Sequence, residues 1–164
     1  MARRRAGYGT VMPNRTAAVI TTLALTTAVA PLPLAGAATS DATFKKKANA
    51  ACRSAGAKVR KLPDLTKENT AEVLLEEVGI VEALVKKLKA IDPPKGKTTK
   101  YKSFISATQK QATLAEQAVE TAKAQDTDKA ESLLKQAAKA GERSDALAKQ
   151  LKLSDCAKRY SANA

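Results

Sequence analysis

Apolar residues recur at three- and four-residue spacing through most of this chain, and breaks in that pattern divide it into four amphipathic helices. The first is expected over about 41–62. Phe44, Ala48, Ala51, Cys52, Ala55, Val59 and Leu62 form its stripe, and Pro63 stops it. The second is expected over about 66–91, with Val73, Leu74, Val78, Val81, Leu84, Val85, Leu88 and Ile91 as the densest apolar set in the chain. That density marks it as the helix expected to be most buried. Glu68, Glu72, Glu76 and Glu77 stand early in it and Lys86, Lys87 and Lys89 late, the order a helix dipole favours, so the acids are expected to form a solvated face. Asp92-Pro93-Pro94-Lys95-Gly96 ends this helix.

The third helix is expected over about 99–124, with Phe104, Ile105, Thr108, Ala112, Ala115, Val119 and Ala122 turned inward. After a break at Gln125-Asp126-Thr127, Asp128 and Glu131 have the spacing of a capping box for a fourth helix over about 128–151. Ala130, Leu134, Ala137, Gly141, Ser144, Ala148 and Leu151 repeat along the inner face of that helix, and the small residues that dominate it let a neighbour approach closely. Short connections make successive helices antiparallel. The expected fold is therefore all-α, an up-down-up-down four-helix bundle.

Composition adds detail to that frame. Aromatic residues make up 3% of the chain and there is no Trp, so the alternating aromatic and β-branched pattern of sheets is missing. Tyr101 and Phe104 are expected to pack on Pro93 and Pro94 and seal one end of the bundle. Cys52 and Cys156 are the two cysteines, and one disulfide between them is expected. It would close a loop of about 104 residues, stabilising the fold by about 4–5 kcal/mol in the chain-entropy model. Cys52 lies well inside the first helix. A bridge therefore requires the chain after Leu153 to turn back alongside that helix, or the helix to be shifted along the bundle, because bridged Cα atoms lie within about 7 Å.

The N-terminus carries an address. Arg3-Arg4-Arg5 and Arg15 form a basic head, 17–29 is apolar, and Ala35-Gly36-Ala37 offers the small residues of a signal peptidase site. Residues 1–37 are thus expected to be a cleaved secretory signal, leaving 38–164 as one domain outside the cytoplasm. The apolar stretch is too short, and too broken by Pro31 and Pro33, for a membrane span of about 20 residues. An oxidising compartment suits the expected disulfide.

Charge and missing chemistry narrow the function. With 29 Lys+Arg against 16 Asp+Glu the chain carries a net charge of +13, which attracts polyanions. Between Asp41 and Asp64 the first helix has no acid, while Lys45, Lys46, Lys47, Arg53, Lys58, Arg60 and Lys61 surround its apolar stripe. These seven are the candidate anion-binding surface. The chain has no His, which removes the commonest general base and metal ligand, and with it His-ligated haem and the Glu-x-x-His di-metal sites of bundles. No Gly-rich phosphate loop or G-x-S-x-G elbow occurs. A carboxylate-only site at Glu72, Glu76 and Glu77 is set against ordinary ion pairs such as Glu131–Lys135. No catalytic residue, cofactor or metal ligand is assigned, and the chain is expected not to be an enzyme.

The functional expectation is a secreted, monomeric interaction or structural protein whose basic first helix contacts an anionic cell-envelope polymer or a partner protein. The alternative is an extracellular carrier of a small ligand, with its site in the bundle interior. Specific nucleic-acid recognition is not expected, since no aromatics interleave with the basic residues to stack on bases.

Taken together, Cys52, Leu62-Pro63-Asp64, Asp92-Pro93-Pro94 with Tyr101 and Phe104, the acidic break Asp126–Asp128, and Leu151 through Leu153 to Cys156 resemble small exported helical proteins of high-GC Gram-positive bacteria. The resemblance spans about residues 50–157. Many members of that group are lipoproteins or secreted proteins without an assigned activity, so it implies a fold and an address and no catalytic residues. Two departures stand out: Ala37 replaces the lipid-modified cysteine of a lipoprotein, and Lys152 stands where a glycine is common.

Overall fold

The computed structural model describes residues 39–158. Four helices follow one another: α1 (Asp41–Val59), α2 (Thr70–Lys89), α3 (Thr98–Lys123) and α4 (Thr127–Leu151). They form an up-down-up-down bundle, all-α among the described residues and closed by a Cys52–Cys156 disulfide. The export signal expected over 1–37 lies outside the described residues. No described helix is long and apolar enough to cross a membrane.

Local chemistry sets the helix ends, in places differently from the apolar pattern. Ser40 caps α1 by accepting from the Thr43 N–H. At the other end Lys61 and Leu62 donate to carbonyls three residues back, so the last turn tightens before Pro63 and α1 stops at Val59 rather than 62. The start of α2 is delayed from 66 to Thr70. Asn69 Oδ1 accepts from the Thr66 N–H at 2.7 Å and Asn69 Nδ2 donates to the Asp64 carbonyl at 3.0 Å, a side-chain-held turn that takes the place of a first helical turn. At the start of α4 the cap is Asp126, which accepts from the Lys129 N–H at 3.1 Å. Asp128 is not the cap. It lies inside the first turn, and Glu131 reaches forward to Lys135 at 2.6 Å instead of back.

The core is uneven along the bundle axis. At one end Phe44, Leu88, Tyr101, Phe104, Leu151 and Leu153 are all buried, joined by the disulfide. Tyr101 packs edge-on against Phe44 with ring centroids 4.9 Å apart, lies over Phe104, and donates its hydroxyl to the Leu88 carbonyl at 2.8 Å. The aromatic pair thus seals the bundle against Phe44 and α2. Burial pushes the Tyr101 hydroxyl pKa up, so it stays a donor. Toward the other end Leu114, Ala137 and Ala140 fill the space, with small side chains that let α3 and α4 pack closely. The most buried helix is α3, not α2 as its dense apolar set suggested. α3 packs against both α2 and α4, whereas Leu74, Ile80 and Val81 of α2 face a partly open groove and stay half-buried.

The offset required by the disulfide is met by the chain after α4. Lys152 adopts a left-handed conformation (φ 58°), and the Leu153 N–H returns to the Ala148 carbonyl at 2.9 Å, which caps the helix and reverses the chain. The returning segment lies along α1. Asp155 accepts from Arg53 at 2.6 Å, its N–H donates to Asn49 Oδ1 at 3.0 Å, and the bridged cysteine Cα atoms are 5.1 Å apart.

Candidate functional site

The seven cations singled out on α1 do not converge. Lys45 is held by Asp41 at 2.6 Å, and Lys97 from the start of α3 binds the same carboxylate. Hydrogen bonds from Lys45 and then Lys97 hold the Asp41 carboxyl below its usual range. Arg53 is committed to Asp155. Lys46, Lys47 and Lys58 are exposed, Arg60 forms the C-cap with its N–H on the Gly56 carbonyl, and Lys61 follows the helix end. At about 100° per residue, Lys46 and Arg53 point away from the core, Lys47 and Lys58 lie on one flank, and Lys45 on the other. These side chains surround a rod without closing on a ligand.

A second basic surface does converge. A groove of about 650 Å³ runs between α3 and α4, with Lys102 and Lys110 on the α3 side and Lys139 and Arg143 on the α4 side. Thr99, Ser103, Ser106 and Gln136 supply further hydrogen-bonding groups, and among the described residues no acidic side chain lines it. None of the four cations has an ion-pair partner among the described residues. The ridge of Lys102, Ser106 and Lys110 also borders a second groove of about 690 Å³ against the end of α2, which adds Lys89 and one acid, Asp92. Helical spacing builds this face: 102, 106 and 110 are four apart on α3, and 139 and 143 are four apart on α4. The sequence held a signal for it, because no acid occurs between Asp92 and Glu116. The α4 half of the face was hidden, since Glu142 and Asp145 sit close in sequence but line the opposite side of the helix.

The bundle interior opens to a third feature. A groove of about 380 Å³ lies between Cys52, Ala55 and Val59 of α1, Leu74, Ile80 and Val81 of α2, and Gly141 and Ser144 of α4. Phe104, Thr108 and Gln111 of α3 form its floor. Gly141 makes room there for the Gln111 amide, because a Cβ on Gly141 would stand 3.1 Å from Oε1. Glu77 lines this groove half-buried, while Glu72 and Glu76 are exposed on the outside of α2. Glu77 therefore departs from the solvated face expected for the α2 acids. The signal was its register: four residues after Val73 and four before Val81, it falls on the apolar stripe itself. Burial pushes its carboxyl pKa up, and no described residue pairs with it.

Comparison of the chain with family models, with curated proteins and with solved structures returned no match.

Proposed function

We propose that this protein is a non-catalytic binding protein of the extracellular space that holds an anionic cell-envelope polymer in its α3–α4 groove. The observation that carries the proposal is the convergence of Lys102, Lys110, Lys139 and Arg143 on one groove with no acidic lining residue among the described residues. Like charges gathered without counterions repel one another, and a bound polyanion relieves that repulsion. Arg143 can grip a phosphate or carboxylate with two parallel hydrogen bonds, and the lysines and hydroxyls supply single donors. Lys102 and Lys110 are eight residues apart, about 12 Å along the helix, which favours a chain of repeating charges over one small anion. Among the described residues no aromatic side chain lines the groove to stack a base, so the favoured polymer is a phosphodiester or polyphosphate chain without bases. The signal-like N-terminus and the disulfide support the extracellular address. The exposed cations of α1 contribute long-range attraction, a supporting role.

The test is binding of the purified protein to poly(glycerol phosphate), with DNA and anionic vesicles as comparison arms. Affinity for the phosphodiester chain should exceed that for the other two and fall with salt. Replacing Lys102, Lys110, Lys139 and Arg143 by Glu should weaken it by about a thousandfold or more, taking about 1 kcal/mol per cation at an anionic surface. Unchanged affinity of that variant refutes the groove as the site.

A further inference from the structure

We infer that the groove between α1, α2 and α4 binds a small organic amine, its apolar body along Val59, Ile80 and Val81 and its ammonium against Glu77. This site is separate from the basic groove and does not depend on it. Three observations lead to it. The first is Glu77 itself, a carboxylate on an apolar helix stripe without a hydrogen-bond or ion-pair partner among the described residues. Drawing a carboxylate out of water is unfavourable unless something pairs with it.

The second is the polarity of the other groups in the groove. Thr108 donates its single proton to the Phe104 carbonyl at 3.0 Å, so across the 2.8 Å contact between the two hydroxyls Ser144 is the donor. That leaves the Ser144 oxygen as an acceptor on the α4 side of the groove, and an acceptor calls for a ligand that brings protons. The third is the sign of charge. Among the described residues, the ionisable side chains that line the groove are Glu77, Glu142, Asp145 and Lys158. Glu142 and Asp145 have partners of their own, so the charge this groove offers a ligand is the carboxylate of Glu77, in a chain with a net charge of +13. At about 380 Å³ the groove lies in the lower range of small-molecule sites, which fits a short amphiphile.

The experiment titrates the purified protein with n-octylamine, n-octanol and octanoate by calorimetry, at salt high enough to suppress surface attraction. Octylamine should bind best, octanol more weakly and octanoate least, although net charge alone would rank octanoate first. Glu77→Gln keeps the shape of the side chain and should lower octylamine affinity about tenfold while leaving octanol unchanged. Val81→Trp, at a half-exposed position, fills the groove and should weaken both. Failure of octylamine to bind, octanoate binding as tightly as octylamine, or native octylamine affinity in Glu77→Gln would each overturn the assignment.

Discussion

Helix α1 and the two residues after it carry seven cations and the α3–α4 groove four, yet only the four converge. On α1 the charge is dense in sequence because Lys46, Lys47, Arg53 and Lys58 share the exposed arc of a single helix that carries no acid after Asp41. Folding then spreads the seven cations around a rod and spends two of them on Asp41 and Asp155. In the groove the charges come from two helices brought side by side by small residues, and no acid faces them among the described residues. Charge density along a chain therefore measures solubility and long-range attraction. A binding surface needs convergence, and convergence is a property of packing.

The sharpest way to break this comparison is paired charge reversal. Glutamate at 102, 110, 139 and 143 should abolish binding to poly(glycerol phosphate), whereas glutamate at Lys46, Lys47 and Lys58 should weaken it less than tenfold, as screened rim charges do. Equal losses would make the field diffuse and the groove unremarkable in function. Next in size is the disulfide. Serine at Cys52 and Cys156 should lower unfolding stability by about 3 kcal/mol in denaturant titration, the usual range for a long closed loop. Loss of the bridge also loosens the segment that holds Asp155 on Arg53, but neither residue lines the α3–α4 groove, so groove binding well below the melting transition should persist. The smallest effect is expected at Lys152. Its left-handed backbone suits glycine, so Lys152→Gly should raise stability by about 0.5–1 kcal/mol and leave binding untouched, separating fold stability from surface charge.

Much of the fold was legible because helical periodicity and proline breaks are local signals. The stripe of α1 predicted five residues that are buried: Phe44, Ala48, Cys52, Ala55 and Val59. The cysteine count gave the disulfide, and the mismatch in its register gave the returning chain end. Illegible features depended on competing local bonds or on partners distant in sequence. The Thr66–Asn69 turn displaced the start of α2, and Asp126 outcompeted Asp128 as a cap. The burial of α2 was overestimated because an apolar stripe does not reveal whether a neighbour covers all of it. Glu77 stands among charged neighbours in sequence, while its helical register places it among Val73, Val81 and Leu84. The four-cation groove could be half anticipated from the acid-free start of α3. Its other half required knowing which face of α4 meets α3.

The most direct test of the central claim is the salt dependence of binding to a phosphodiester chain. Each phosphate contact made by a cation adds about 0.7 to the slope of log affinity against log salt on a flexible strand. The variant with Gln at 102, 110, 139 and 143 should therefore bind poly(glycerol phosphate) with a slope about 3 smaller than the native protein. A variant that keeps the native slope would show that the polymer's charges are met elsewhere on the molecule, and the α3–α4 groove would lose its role.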